Sequence, residues 1–173
     1  MGNKIKIGLS RAIMLKEEQE QRINRIDDLI SKNNSVTKGN DRGINIDELL
    51  QERKERSDFL VNVYEKIQEA NLGKLKGDKF SNAHYIKRKS ELEREKIFYS
   101  NLNTRHGRQV SGHGNVIEYD AYIKLRDVNE RIDAINKEIE IIKNKLTLFN
   151  TKTTIEMEVT PYMASYISST EAR

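Results

Sequence analysis

The sequence predicts a mainly α-helical protein, an antiparallel bundle of long helices with coiled-coil packing and a small β supplement. Two observations carry this prediction. Apolar residues in the C-terminal half recur at alternating steps of three and four, which keeps one narrow stripe that a partner helix has to cover. Charged residues make up 34% of the chain and aromatic residues 6%, a composition that suits long helices with solvated outer faces. The apolar row, called the seam below, consists of Leu125, Val128, Ile132, Ile135, Ile139, Ile142, Leu146 and Phe149.

The N-terminal half predicts two helices joined by a turn-rich loop. The first helix is expected over residues 5–32, with a polar middle in its apolar stripe, and residues 33–43 form the loop. Asn45 is the expected N-cap of the second helix, with Glu48 as its capping-box partner. That helix is expected to continue to about residue 70.

A third helix and a glycine-containing segment are expected next. Ser81 is placed to cap a helix over residues 82–102. The following stretch, 103–115, contains three glycines and predicts a loop or a hairpin. Residues 109–110 and 116–117 would then be its two short strands. The result is a small β element directly before the last long helix.

The fourth helix, expected over residues 119–149, carries the seam. After it, apolar and polar residues alternate over 154–159, which predicts a half-buried strand that pairs with the loop hairpin or with another subunit. Residues 1–160 are therefore expected to form a single helical bundle domain. Residues 161–173 are expected to form a C-terminal tail, either a docking arm or a mobile end.

The seam also bears on assembly. β-branched residues at the d positions of a heptad, such as Ile135 and Ile142, disfavour a parallel dimer and favour higher-order packing. Two arrangements would bury the seam. In the first, the other three helices of the same chain cover it; in the second, further copies of the chain also pack against it. The thin stripes on the first and third helices favour a homo-oligomer.

The densest functional chemistry lies between the third and fourth helices. Two arginines offer planar donors for phosphate or carboxylate, and nearby glycines allow backbone N–H groups to approach an anion. Tyr99 offers a ring that can stack on a base. The sequence predicts a pocket for a small anionic, nucleotide-like ligand, shared between subunits; the alternative is a solvated basic loop. The predicted ligand-binding residues are Tyr99, Asn101, Thr104, Arg105, His106, Arg108, Gln109, Ser111 and His113.

Other site classes find little support. The chain has no cysteine, and His106 and His113 have no close acidic neighbour in sequence, so neither a metal nor a cofactor is expected. No nucleophile and base can be paired by spacing, which argues against an enzyme. Arg53 and Arg56 interrupt the apolar stripe of the second helix. Three alternatives explain them: stems that reach outward at a bundle edge, burial beside a glutamate, or a role in ligand binding.

Three segments resemble the septicolysin-like family, small helical proteins of bacteria and phages of unknown function. Residues 5–13 (IKIGLSRAI) resemble the start of its first helix, and residues 67–71 (IQEAN) resemble its second helix break. Residues 148–154 (LFNTKTT) are similar to its closing Asn-Trp-x-Thr pattern. The resemblance covers about residues 5–157 and implies a small helical fold. The chain departs from the family in having no Trp and a longer loop over 103–119.

The function expected from these observations is a non-enzymatic, homo-oligomeric binding protein. Its most concrete version is a phage protein that sequesters a nucleotide signal of host immunity, by analogy with oligomeric phage sponge proteins as a class. The alternatives are a virion or scaffold component and a helical nucleic-acid-binding protein. A net charge of +4 permits binding to nucleic acid but does not require it. No apolar run approaches the roughly 18–20 residues that span a bilayer, so no membrane partner and a bacterial cytoplasmic location are expected.

Overall fold

The computed structural model describes residues 3–35, 43–110, 114 and 116–171, and this part of the chain is mainly helical with short antiparallel strands. Its contacts divide into two compact units, Met1–Lys74 with Phe149–Arg173 and Leu75–Leu148, where the sequence predicted one domain of residues 1–160. The elements in chain order are β1 (Asn3–Gly8), α1 (Leu9–Asn33), α2 (Ile46–Asn71), α3 (Asn82–Ser100), β2 (Gly107–Val110), β3 (Val116–Tyr119), α4 (Leu125–Lys152), β4 (Thr154–Val159) and α5 (Pro161–Glu171).

The first helix begins later than the sequence predicted, because the chain starts with a strand. β1 pairs antiparallel with β4 in a register that sets Ile5 opposite Met157 and Ile7 opposite Ile155. The alternation of lysine and isoleucine in β1 matches the alternation in β4, so both strands turn one apolar face inward. The prediction that β4 pairs with the loop hairpin is therefore wrong: within the described residues β4 pairs with β1, near the N-terminus of its own chain.

α1 and α2 run antiparallel in the first unit. Gln19 accepts a hydrogen bond from Arg56, and Asp27 accepts one from Arg53. Residue numbers on α2 therefore decrease as residue numbers on α1 increase. Asn45 caps α2 as predicted, since its side-chain oxygen accepts from the backbone N–H groups of residues 47 and 48. The core of this unit takes apolar side chains from all its elements, among them Leu9, Leu15, Phe59, Val63, Ile155, Met157, Met163 and Ile167.

The segment that begins at Pro161 is helical as far as residue 171. It forms α5, which contacts β1 and β4 of the same unit. Met163 and Ile167 are almost completely buried there. These two residues lie four positions apart, so they share one side of the helix and anchor it. α5 thus packs on its own unit, and docking of this segment on a neighbouring molecule stays a prediction.

α3 packs against α4 in the second unit and covers the middle of the seam. Leu92 of α3 forms a buried cluster with Ile135, Ile139 and Ile142, and Tyr85, Tyr99 and Leu146 pack against it. Arg88 bonds Glu138, and Arg131 bonds Glu95, which fixes the two helices antiparallel. Leu125, at the first seam position, is 58% exposed. Within the described residues, the chain itself covers the middle of the seam, and no helix could span a membrane.

Candidate functional site

The predicted ligand-binding segment folds as a two-stranded hairpin in the second unit. β2 and β3 pair antiparallel, with Gln109 opposite Ile117 and Arg108 opposite Glu118. Gly107 begins β2 with a φ of 81°, in the left-handed region that favours glycine. The sequence placed strands at 109–110 and 116–117, and the structure extends each of them by two residues towards the helices.

The hairpin holds a small depression of about 260 Å³. The guanidinium of Arg105 lies 5.7 Å from the ring centroid of Tyr119, a cation–π distance. Among the described residues, no carboxylate forms an ion pair with Arg105, so its planar donors stay open to an anion. The depression, called the Arg105 shelf below, is lined by Arg105, Gln109, Val110, Ile117 and Tyr119.

His106 lies at the base of the hairpin and has two neighbours of opposite chemistry. Its Nδ1 accepts from the backbone N–H of Ala121 at 3.5 Å and lies 3.3 Å from Oδ1 of Asp120. The same nitrogen cannot accept from the N–H and donate to the carboxylate at once. Nδ1 without a proton therefore suits the first contact, and Nδ1 with a proton suits the second. His106 has a structural partner in either state.

The other predicted residues are only partly brought together. Tyr99 packs against the Leu92 cluster with Arg131 over its ring, so α3 and α4 already use that ring. Asn101 is the C-cap of α3. Thr104 is half-buried, and Arg108 lies on the hairpin face opposite to that of Gln109, beside Glu118. Ser111 and His113 lie outside the described residues. Arg105 and Gln109 are the predicted residues that line the shelf.

Sequence reasoning missed Tyr119, whose ring supports Arg105. The prediction assigned Tyr119 to the start of the fourth helix, which in the structure begins at Leu125. The alternation of exposed and partly buried residues in β3 is weak, because three of its four residues are exposed. The signal that was available is the short apolar run of residues 116–117, which the prediction used without extending it.

A second polar cluster, buried in the first unit, was not predicted as a site. Arg56 is 3% exposed and donates to Gln19 Oε1 at 2.7 Å, to Glu52 Oε1 at 2.8 Å and to the Tyr162 hydroxyl at 2.7 Å. The rings of Tyr162 and Tyr166 lie 5.5 and 5.3 Å from its guanidinium carbon. Arg56 is therefore buried beside a glutamate, as one of the predicted alternatives had it, and does not reach outward.

The cluster is not fully satisfied. Gln19 is completely buried, and its Nε2 has no hydrogen-bond partner among the described residues. The amide cannot be flipped to relieve this, because Oε1 already accepts from Arg56. Burial raises the pKa of Tyr162, although the charge of Arg56 opposes that shift. Every polar group of this cluster comes from the first unit, and it joins α1, α2 and α5.

Arg53, one turn before Arg56 on α2, behaves differently. It bonds Asp27 of α1 through two nitrogens, and both side chains are 42% exposed. Arg53 therefore matches the predicted alternative in which the arginine stem reaches outward at the edge of the bundle. The described residues contain no group of three or more His, Cys, Asp or Glu side chains that could hold a metal ion.

The comparisons with known proteins place the chain in a family. The model of a family of unknown function, DUF6847, matches residues 16–155. The chain belongs to this family. A crystal structure of a functionally unknown conserved protein from Corynebacterium diphtheriae is similar, with a TM-score of 0.76 at 18% identity, and the match covers 87% of this chain and 99% of that one. At this identity the likeness shows a shared fold.

No curated protein matches the chain. Both DUF6847 and the structural neighbour are of unknown function. The resemblance to the septicolysin-like family stays a prediction, as do the predicted ligand and the predicted assembly.

Proposed function

We propose that the protein is a non-enzymatic binding protein that captures a small anionic, nucleotide-like ligand at the Arg105 shelf and acts as a homo-oligomer. One observation carries the proposal: Arg105 lies over the Tyr119 ring without a carboxylate partner among the described residues. Contact with an aromatic face orients the guanidinium, which lowers the entropy lost when its N–H groups bind phosphate oxygens.

The side chains of the shelf are suited to binding a ligand and not to catalysing a reaction. Arg105 offers charged donors, Gln109 offers an amide for a base edge or a ribose hydroxyl, and Ile117 offers apolar surface. Arg105 and Tyr119 together resemble the donor and ring that recognise a nucleotide phosphate and its base. The depression is small at about 260 Å³, so a second surface is needed to enclose a whole nucleotide.

The mode of action that fits this site is sequestration. A binding protein lowers the free concentration of a signalling nucleotide without changing it, and its effect depends on affinity and copy number. In this proposal, the protein is cytoplasmic and phage-borne, and α3 and α4 pack as a coiled-coil hairpin within a larger bundle. The antiparallel ion pairs Arg88–Glu138 and Arg131–Glu95 support that packing.

Isothermal titration calorimetry of the protein with a panel of cyclic and ADP-ribose nucleotides tests the proposal. We expect at least one nucleotide to bind, and Arg105→Gln to weaken it about tenfold or more, because a charged hydrogen bond contributes about 1.5–3 kcal/mol. The matched control is Arg94→Gln, which removes one exposed arginine from α3 of the same unit. The absence of heat with every nucleotide, or equal weakening by both variants, contradicts the proposal.

A further inference from the structure

The face of the hairpin that carries Arg108 holds two cross-strand pairs that are open to solvent, and one of their residues, Val110, also lines the shelf. The register sets Arg108 opposite Glu118 and Val110 opposite Val116. Directly opposed residues of an antiparallel pair share a face, and the face alternates from one pair to the next. The two pairs named here are two positions apart, so they lie on the same face. Val110 is 71% exposed and Val116 is 63% exposed. These four residues are called the hairpin face below.

A hairpin with this little burial is incomplete. Two-stranded hairpins are marginally stable in water and usually need a third strand or a packed layer. Both residues of the Val110–Val116 pair are mostly exposed, and only Gly107 and Tyr119 of the two strands are partly buried. Cover from another molecule would supply the missing apolar burial.

We propose that the hairpin face is occupied by the hairpin face of a second copy of this chain. The argument for this partner is charge complementarity. The face carries one base and one acid side by side, so a two-fold axis can set Arg108 of each copy against Glu118 of the partner while the valines meet. Within one chain, Arg108 Nε and Glu118 Oε2 are 3.9 Å apart, and both side chains are more than 70% exposed, so both stay available to a partner.

Four side chains alone are a small contact compared with the roughly 800 Å² per partner of a stable interface. The exposed apolar side chains continue in the sequence directly after β3. Tyr122 is fully exposed, and Leu125 at the open end of the seam is 58% exposed. The second copy is therefore expected to cover this segment as well. The inference rests on the proposed homo-oligomer and assigns the surface that forms it.

Sedimentation velocity without ligand, over a range of protein concentrations, tests the assignment by charge exchange. Arg108→Glu gives a face with two acids, and Glu118→Arg gives a face with two bases, so each variant alone is expected to dissociate at least about tenfold more readily. An equimolar mixture of the two is expected to associate again, because the faces are then complementary. Arg94→Glu, which makes the same charge change on α3, is expected to associate like the wild type.

A second variant keeps the inference falsifiable if the charge variants lose the hairpin. Val110→Thr with Val116→Thr retains the β-branched shape and strand preference but removes apolar surface, and we expect weaker association. If this variant associates as strongly as the wild type, the assignment is overturned, even if the mixture of charge variants stays monomeric. If the wild type is itself monomeric at the highest concentration, the homo-oligomer of the proposed function fails too. If it associates independently of the hairpin, only this inference fails.

Discussion

Arg56 on α2 donates through one terminal nitrogen to the side-chain oxygen of Gln19 on α1 at 2.7 Å, inside a core that excludes both residues from water. A buried guanidinium is costly unless its donors are used. Glu52, Tyr162 and Gln19 use them here, and two tyrosine rings flank the cation. The link between α1, α2 and α5 is therefore polar as well as apolar.

Replacing Arg56 is expected to destabilise the first unit strongly. Arg56→Met leaves Gln19 without its one partner and Glu52 without its counter-charge, which we expect to cost about 2–4 kcal/mol. Urea denaturation followed by circular dichroism measures the loss. Arg53→Met is the control on the same helix, and its exposed ion pair is expected to matter much less. Equal losses in the two variants would contradict the described burial of Arg56.

Tyr162 predicts a transition at alkaline pH. Burial raises the pKa of its hydroxyl in the folded protein. A raised pKa in the folded state gives stability that is fully present below the unfolded pKa of about 10 and is lost as pH rises through the folded value. Absorbance of tyrosinate at 295 nm should therefore show one late-titrating group. Tyr162→Phe should remove it, whereas a late group that persists in this variant would assign the shift to another tyrosine.

Asp27 predicts the opposite dependence at acid pH. The hydrogen bond from Arg53 is the largest cause that lowers its pKa. A lowered pKa in the folded state gives stability that is present above the ordinary value and is lost as pH falls through the folded value. The chemical shift of the Asp27 carboxyl carbon, followed by NMR against pH, gives its midpoint. Arg53→Gln should raise that midpoint, and an unchanged midpoint would exclude Arg53 as the cause.

Two isoleucines on α4 provide a matched test of the seam. Ile139 is 7% exposed in the Leu92 cluster, and Ile141 is 59% exposed two residues later. Ile139→Ala should cost about 2–4 kcal/mol, whereas Ile141→Ala should change stability by less than about 0.5 kcal/mol. Chemical denaturation of both variants at low concentration measures the difference. A large loss for Ile141 that grows with protein concentration would instead place it in an interface.

The long helices could be predicted from sequence because their signals are local. The seam spacing predicted α4, and the cap at Asn45 predicted where α2 begins. β1 was missed because strand pairing depends on a partner about 150 residues away. Lys4, Ile5, Lys6 and Ile7 fit a strand only once residues 154–159 are paired with them. The polar middle of the α1 stripe was visible in sequence, but its explanation, the bond from Gln19 to Arg56, needed the fold.

The hairpin shows the same division. Its glycines and short apolar pairs predicted a β element, and the register alone decides which predicted residues share a face. Arg105 and Gln109 line the shelf, whereas Arg108 lies on the other face beside Glu118. Spacing along the chain does not assign residues to two faces until the strand pairing is known.

The most direct measurement is an NMR titration that observes the Nε–Hε group of Arg105 and the ring of Tyr119 while the nucleotide with the strongest calorimetric signal is added. The account predicts saturating shifts at both residues and at the Gln109 amide, while the Arg56 and Arg94 side-chain signals stay unchanged. A bound nucleotide that leaves Arg105 and Tyr119 unshifted, and perturbs another part of the chain instead, would contradict it.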